Sequence, residues 1–166
     1  MFSPVELATI ISPGYKFALF LHILAVVLAF GPTFGYGFFF SVAPQFPRAT
    51  PAIIAGVQKV DRYLVSPGMI VLLVAGIYMQ ADGDWDASEA FLSVGYLAII
   101  SLFALQGAFF KPQTRKAREL AERDLKTGDT LSDEFNAVSA RLSKVGGLAG
   151  LVVVVTIFFM TYKPFL

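Results

Sequence analysis

The sequence predicts an all-α fold, namely a polytopic membrane four-helix bundle. Of the 166 residues 56% are hydrophobic and only 15% are charged, whereas soluble domains average about 25% charged residues. The chain also contains four long apolar segments, and runs of roughly 20 apolar residues can cross a bilayer as helices. We place the spans at about 15–42, 65–80, 91–110 and 146–162. We therefore expect residues 1–166 to form a single integral membrane domain surrounded by the lipid bilayer.

The composition also restricts the functions to be considered. The formal net charge is +1, so the overall charge does not indicate a nucleic-acid partner. The chain contains no cysteine, which excludes disulfides, thiolate metal sites and a cysteine nucleophile. We find no phosphate-binding loop, hydrolase triad or paired carboxylates in a position to act. The sequence gives no positive sign of an enzyme, and we predict no catalytic residue.

The N-terminal part of the chain is predicted to contain one short helix and one long one. "SPVE" at residues 3–6 combines a capping serine with a proline at the first helical position. We expect a short helix there, ending before residue 12 and lying on the membrane interface. The first span follows, and Pro32 should kink it because proline lacks a backbone donor. Pro51 suits the start of the next helix, which we expect to bend near Pro67.

Residues 111–145 predict a helical hairpin that extends spans three and four beyond the membrane. The segment "RKARELAERDLK" places opposite charges four residues apart, which favours a solvated helix. The turn is predicted at "TGDT", residues 127–130. One apolar face follows at helical spacing, formed by Leu131, Phe135, Val138, Leu142 and Val145. The hairpin is either a stiff loop that serves topology or a docking surface for a partner.

The distribution of basic residues predicts the orientation. Lysine and arginine are concentrated between the first and second spans and in the hairpin, whereas residues 81–89 contain four carboxylates and no basic residue. Positive charge is retained on the cytoplasmic side. We therefore predict a multi-pass protein of the bacterial cytoplasmic (inner) membrane, with a cytoplasmic hairpin and both termini outside.

His22, the only histidine, lies inside the first apolar span. The residues that share its helix face are mostly small or polar: Tyr15, Ala18, Ala25, Ala29, Thr33 and Tyr36. Small residues in membrane helices mark close helix contacts, so we expect His22 to point into the bundle. Two roles remain open. His22 can form a hydrogen bond to Ser93, Tyr96 or Thr156, or it can bind a haem or a metal, since intramembrane ionisable residues are often functional.

Other polar and small residues give weaker signals. The pairs Gly31/Gly35 and Gly146/Gly150 have the four-residue spacing of close helix packing, within the chain or in a dimer. Asp61 and Arg62 are interpreted as a charge cluster at the inner interface. Gln106 is interpreted as a contact to lipid headgroups.

Two segments carry a family resemblance. "KFALFLHILAVVLAFGPTFGYGFF" and "VDRYLVSPGMIVLLVAGIYM" resemble a bacterial domain-of-unknown-function family of small predicted integral membrane proteins. The resembling features are Leu21-His22, the glycines from Gly31 to Gly37, Pro67 and Gly76. More distantly, the Leu-His start looks like copper-resistance D-type membrane domains and haem-containing protoporphyrinogen-oxidase-type membrane proteins. That likeness implies haem b as a cofactor with His22 as its axial ligand.

Three functional hypotheses follow. The first is a non-enzymatic accessory or assembly subunit that acts through helix contacts in a homo-oligomer or a larger membrane complex. The second is a membrane redox protein that binds haem b through His22. The third is a small transporter or channel that forms on oligomerisation.

Overall fold

The computed structural model describes residues 12–163, and within that range the chain is helical without any strand. The predicted N-terminal interfacial helix lies outside the described residues. We number the six α-helices in chain order: α1 Pro13–Val42, α2 Thr50–Val60, α3 Ser66–Asp82, α4 Ala90–Leu105, α5 Lys111–Thr127 and α6 Asp133–Tyr162. Two short 3₁₀ turns, Ala43–Gln45 and Pro47–Ala49, connect α1 to α2.

Four continuous helical stretches are long and apolar enough to cross a membrane, which confirms the predicted four-helix architecture. They are Pro13–Gln45, Pro47–Asp82, Ala90–Thr127 and Asp133–Tyr162. The second is much longer than the predicted 65–80 because α2 continues into α3 without a break. We call the end of the bundle with residues 83–89 the loop end, and the end with residues 111–145 the hairpin end.

The start of α1 is fixed at the loop end by Ser12. Its hydroxyl accepts a hydrogen bond from the Tyr15 amide (2.9 Å) and donates one to the carboxylate of Asp82 (2.6 Å). This side chain therefore caps α1 and also ties it to the end of α3. Pro32 lies within α1 but does not end it, so the first span remains one helix of 30 residues.

The closest helix contact in the core joins α1 and α3. A Cβ placed on Gly68 would lie 3.1 Å from the Cβ of Ala29 and 3.2 Å from its backbone nitrogen. Ala29 is fully buried, so neither helix has room for a larger side chain here. The surrounding apolar core also contains Ala25, Phe30, Val65, Met69, Leu72, Ile99 and Val153.

Two π-helical turns interrupt the long helices near the hairpin end. Asp61–Val65 joins α2 to α3, and Gln106–Phe110 joins α4 to α5. A π-helical turn changes the direction in which the following side chains point, and such turns are frequent at functional sites. Each lies where an apolar span meets charged sequence.

The hairpin is formed by α5 and the first half of α6, as the charge pattern predicts. Its apolar face is buried, with Phe135 fully enclosed and Leu142 only 4% exposed. These residues pack with Phe40 of α1 and Ile54 of α2. The apolar face of the hairpin is therefore covered by this chain's own helices, and a docking role for the rest of the hairpin stays a prediction.

Asp124 organises the hairpin turn. Its carboxylate accepts hydrogen bonds from the Ser132 backbone amide (2.8 Å) and from the Arg123 guanidinium (2.9 Å). Ser132 in turn caps α6 through the amide of Phe135 (3.3 Å). Outside the hairpin, Arg48 pairs with Asp129 (2.7 Å), which ties the first connection to the tip.

The Gly68 contact predicts a loss of stability for a single added methyl group. Gly68→Ala should lower the free energy of unfolding by about 1–3 kcal/mol, because the backbone of Ala29 has to move. The matched control is Gly56→Ala in α2, where an added Cβ meets nothing within 4 Å and should be neutral or stabilising. Reversible unfolding in mixed micelles measures both variants. Equal stabilities would contradict the tight contact.

The hairpin turn predicts a local dependence on pH. Hydrogen bonds from Ser132, and next from Arg123, hold the pKa of Asp124 below its ordinary value. A lowered folded-state pKa stabilises the turn above the unfolded pKa, and this contribution is lost as the pH falls through the folded pKa. Hydrogen exchange of the Ser132 amide should therefore lose protection as the pH falls from about 5 towards 2, after correction for intrinsic exchange. Asp124→Ala should remove this pH dependence, whereas Asp133→Ala should keep it.

Candidate functional site

A cavity of about 600 Å³ lies among the four spans towards the loop end. Its wall is mostly apolar, and its volume falls within the range of about 300–1,000 Å³ that is typical of small-molecule and cofactor sites. We call it the loop-end cavity. The side chains that give it chemical character are Tyr15, His22, Met79, Gln80, Tyr96, Met160 and Lys163.

His22 is held in a defined orientation on the wall of this cavity. Its Nδ1 lies 3.1 Å from the carbonyl oxygen of Leu72 in α3. A carbonyl oxygen can only accept a hydrogen bond, so Nδ1 carries the proton in the neutral ring. The Nε2 atom is then unprotonated and has a free lone pair. Histidines that bind a metal through one ring nitrogen usually have the other nitrogen held by a hydrogen bond of this kind.

Glycines bring the helices close to His22 and to the cavity. A Cβ on Gly76 would lie 3.3 Å from Cε1 of His22, so the absence of a side chain lets the ring approach the backbone of α3. On the other side, the methyl group of Met160 occupies the space beside Gly95 that a Cβ would fill. Each glycine thus makes room for one of the side chains that line the cavity.

Aromatic rings and one lysine form the cavity wall nearest the loop. Trp85 and Phe91 meet edge to face with centroids 5.4 Å apart. The Nζ atom of Lys163 lies 4.0 Å from the centroid of Trp85 and 4.8 Å from that of Phe91. Nearby, the Tyr96 hydroxyl donates a hydrogen bond to Gln80. The cavity therefore has a cationic, hydrogen-bonding outer end and an apolar interior.

The structure places the sequence-predicted small residues in two different environments. Ala18, Ala25 and Ala29 are buried, on the same side of α1 as His22. Gly150 lies close to the Phe34 ring, with 3.2 Å between its added Cβ and Cε1. Gly31 and Gly146 have open space, and Gly35 meets only Phe39 of its own helix. A role for these three glycines in contacts with another chain stays a prediction.

The hydrogen-bond partner of His22 differs from the three suggested by sequence. Tyr96 bonds to Gln80, and the Thr156 hydroxyl donates to the Val152 carbonyl. Ser93 donates to the carbonyl of Ala87. The partner is instead a backbone carbonyl, which no residue type in the sequence could have indicated.

A second polar cluster, not recognised from the sequence, lies near the hairpin end. Asp61 is only 7% exposed, and its carboxylate accepts a hydrogen bond from the Tyr36 hydroxyl at 3.0 Å. The amide nitrogen of Gln106 is buried and makes no hydrogen bond within residues 12–163. Asp61 is therefore hydrogen-bonded to Tyr36 within the bundle, and the interpretation of Asp61 and Gln106 as residues of the inner interface stays a prediction. The signal for this cluster in the sequence was that Tyr36 lies on the same helix face as His22.

No group of three or more histidine, cysteine or acidic side chains within residues 12–163 is arranged to hold a metal ion. In the loop-end cavity His22 is accompanied by the thioethers of Met79 and Met160. This donor set suits a metal that brings other ligands of its own, as the iron of a haem does.

The family profile of DUF2269, described as a predicted integral membrane protein, matches residues 16–164. The chain belongs to this family. The match includes all four spans and the hairpin, and it confirms the resemblance to a domain-of-unknown-function family of predicted integral membrane proteins; it does not support the more distant likeness to copper-resistance D-type or protoporphyrinogen-oxidase-type proteins. No curated protein and no solved structure matches the chain.

The geometry of His22 predicts its tautomer. Because the chain has one histidine, ¹⁵N-histidine labelling should give a single pair of ring signals, with Nδ1 protonated and Nε2 unprotonated at neutral pH. Gly76→Val should displace the ring from Leu72 and weaken this preference. Gly31→Val, which has open space on the same helix as His22, serves as the control. A protonated Nε2 in the wild-type protein would contradict the assignment.

Proposed function

We propose that this DUF2269 protein is a membrane haem b protein in which His22 is the axial ligand. The observation that carries the proposal is the Leu72 carbonyl 3.1 Å from Nδ1, because it fixes the tautomer in which Nε2 is the unprotonated nitrogen of a ring that lines the cavity. Bound haem would supply one-electron redox chemistry. The chain's own contribution is to bind, orient and shield that group.

The lining of the loop-end cavity fits this ligand. Its inner wall is apolar, which suits the porphyrin ring, and it is closed on several sides by residues such as Phe30, Ile99 and Val153. Lys163 and Tyr15 lie on the same lining and provide a cation and a hydroxyl for carboxylates such as the haem propionates. Met79 and Met160 are the candidates for a second axial ligand.

Two other roles receive less support. A non-enzymatic accessory role through the hairpin is weakened because its apolar face is buried against α1 and α2. Gly31 is exposed and Gly146 is partly exposed. Helix contacts at these glycines, in a homo-oligomer or a larger complex, therefore remain a proposal. A transporter or channel would need a polar path, whereas the core between the two ends is apolar, with Ala29, Met69 and Leu72 buried.

The location follows the same line of reasoning. We propose the bacterial cytoplasmic membrane, with the hairpin inside and the loop end and both termini outside. The support is the concentration of lysine and arginine in the hairpin and the carboxylates in residues 81–89. The loop-end cavity would then open towards the outer side of the membrane.

The experiment that tests the function is visible absorption spectroscopy of protein purified in detergent from haem-sufficient cells. The wild-type protein should show a Soret band that shifts on reduction. His22→Ala should lose or shift it, and added imidazole should restore it by occupying the vacated space. Tyr96→Phe, which changes another polar cavity residue, should keep the band.

The contrary outcomes are equally clear. A colourless wild-type protein that also fails to take up added haem would reject haem binding. A spectrum unchanged in His22→Ala would place the ligand elsewhere. If a Soret band is present, Met79→Leu and Met160→Leu should differ from each other, because the loss of a sixth ligand changes the reduced spectrum whereas the loss of a wall residue does not.

A further inference from the structure

A second cavity, of about 920 Å³, lies at the hairpin end between the two π-helical turns. We call it the hairpin-end cavity. It is lined mainly by polar and charged side chains: Gln58, Asp61, Arg62, Ser66, Lys111, Thr114, Arg115, Arg118, Glu119 and Glu122, together with Gly107 and Pro112. It plays no part in the proposed haem site.

Two of its four cations are paired with carboxylates of the same lining. Arg118 contacts Glu122 at 2.7 Å, and Arg115 contacts Glu119 at 3.7 Å. Arg62 and Lys111 make no ion pair within 4.0 Å among the described residues, although Lys111 is attracted to the charge of Asp61.

The charge of Asp61 is met from the bundle interior. Its carboxylate accepts the hydrogen bond from Tyr36 at 3.0 Å. Asp61 is buried, whereas Arg62 and Lys111 are exposed. The accessible part of the cavity is therefore cationic.

Ser66 adds a hydrogen-bond donor without a partner. Its hydroxyl oxygen is buried and makes no hydrogen bond within the part of the chain that the structure describes. Such a group is costly to leave unsatisfied. A phosphate oxygen would accept a hydrogen bond from Ser66, and the phosphate charge would pair with Arg62 and Lys111. The wall of the cavity itself supplies none of these partners among the described residues.

The surroundings favour a lipid as the source of the phosphate. Tyr63 and Leu64, which directly follow Arg62 in the same π-helical turn, are 68% and 39% exposed. Next to Arg62 in the sequence, they offer exposed apolar surface to an acyl chain. Both π-helical turns lie at the junction of apolar and charged sequence, the depth at which headgroups are found. Basic pockets between membrane helices are known to bind anionic headgroups.

We propose that the hairpin-end cavity binds the phosphodiester headgroup of an anionic phospholipid. Arg62 and Lys111 pair with the phosphate, and the Ser66 hydroxyl donates a hydrogen bond to it. Gly107 leaves the space that the headgroup enters.

The test is native mass spectrometry of the detergent-purified full chain titrated with phosphatidylglycerol or with phosphatidylcholine. The wild-type protein should bind phosphatidylglycerol more tightly. Arg62→Gln with Lys111→Gln should weaken that binding about 25-fold, about fivefold for each cation. The matched control, Lys126→Gln with Arg141→Gln, removes the same charges from hairpin positions outside the cavity and should keep the wild-type affinity.

A steric variant tests the site without changing charge. An added Cβ meets nothing within 4 Å at Gly107, inside the cavity, or at Gly56, outside it. Gly107→Leu should reduce phosphatidylglycerol binding, whereas Gly56→Leu should not.

Three results would overturn the proposal. Equal binding of the two lipids would remove the role of charge. If the two double variants weakened phosphatidylglycerol binding equally, the binding would be a general effect of surface charge and not of this cavity. Competition by excess inorganic phosphate as effective as that by the lipid would assign the site to a soluble phosphate. None of these results changes the visible spectrum, so a failure here is distinguishable from a failure of the haem proposal.

Discussion

The arrangement of the bundle depends on the close approach of α1 and α3. At Gly68 the two backbones are separated by little more than the Cβ of Ala29, which leaves almost no freedom to slide one helix along the other. Two turns nearer the loop end, the same pair of helices presents Gly76 to His22. The distance from Nδ1 to the Leu72 carbonyl is thus a consequence of packing in the middle of the membrane. Membrane helices associate through such contacts because lipid offers no hydrophobic driving force between them.

Much of this fold could be predicted from the sequence, since the bilayer imposes strong rules. The length of the apolar segments predicted the spans, and the alternation of charges predicted the helical hairpin. The small residues on the helix face of His22 predicted that its side chain points into the bundle. The same reasoning did not find the π-helical turns at Asp61 and Gln106, because an extra residue in a helical turn leaves no compositional mark. It also did not find the hydrogen bond from Tyr36 to Asp61, because the two residues lie 25 positions apart in the sequence.

The candidate site was harder to predict than the fold for a related reason. The sequence identified His22 as a suspect but offered only side chains as its partners. In a bundle the backbone is an equally good acceptor wherever a glycine exposes it, and Gly76 does so beside Leu72. The sequence indicated Ser93, Tyr96 and Thr156 as possible partners because each has a hydroxyl group. It could not determine which of these hydroxyls were already occupied by nearer partners.

The two ends of the molecule solve the problem of polar groups in lipid in opposite ways. At the hairpin end, Asp61 accepts a hydrogen bond from Tyr36 within the bundle, whereas the exposed Arg62 and Lys111 make no ion pair among the residues that the structure describes. At the loop end, the Leu72 carbonyl satisfies one nitrogen of His22 and leaves the other as a base within a mostly apolar wall. A packing histidine would be expected to use both nitrogens or to lie against a full wall. Here Nε2 makes no hydrogen bond within residues 12–163, and the ring lies on the wall of a cavity of about 600 Å³; this combination supports the proposal that the cavity holds a ligand.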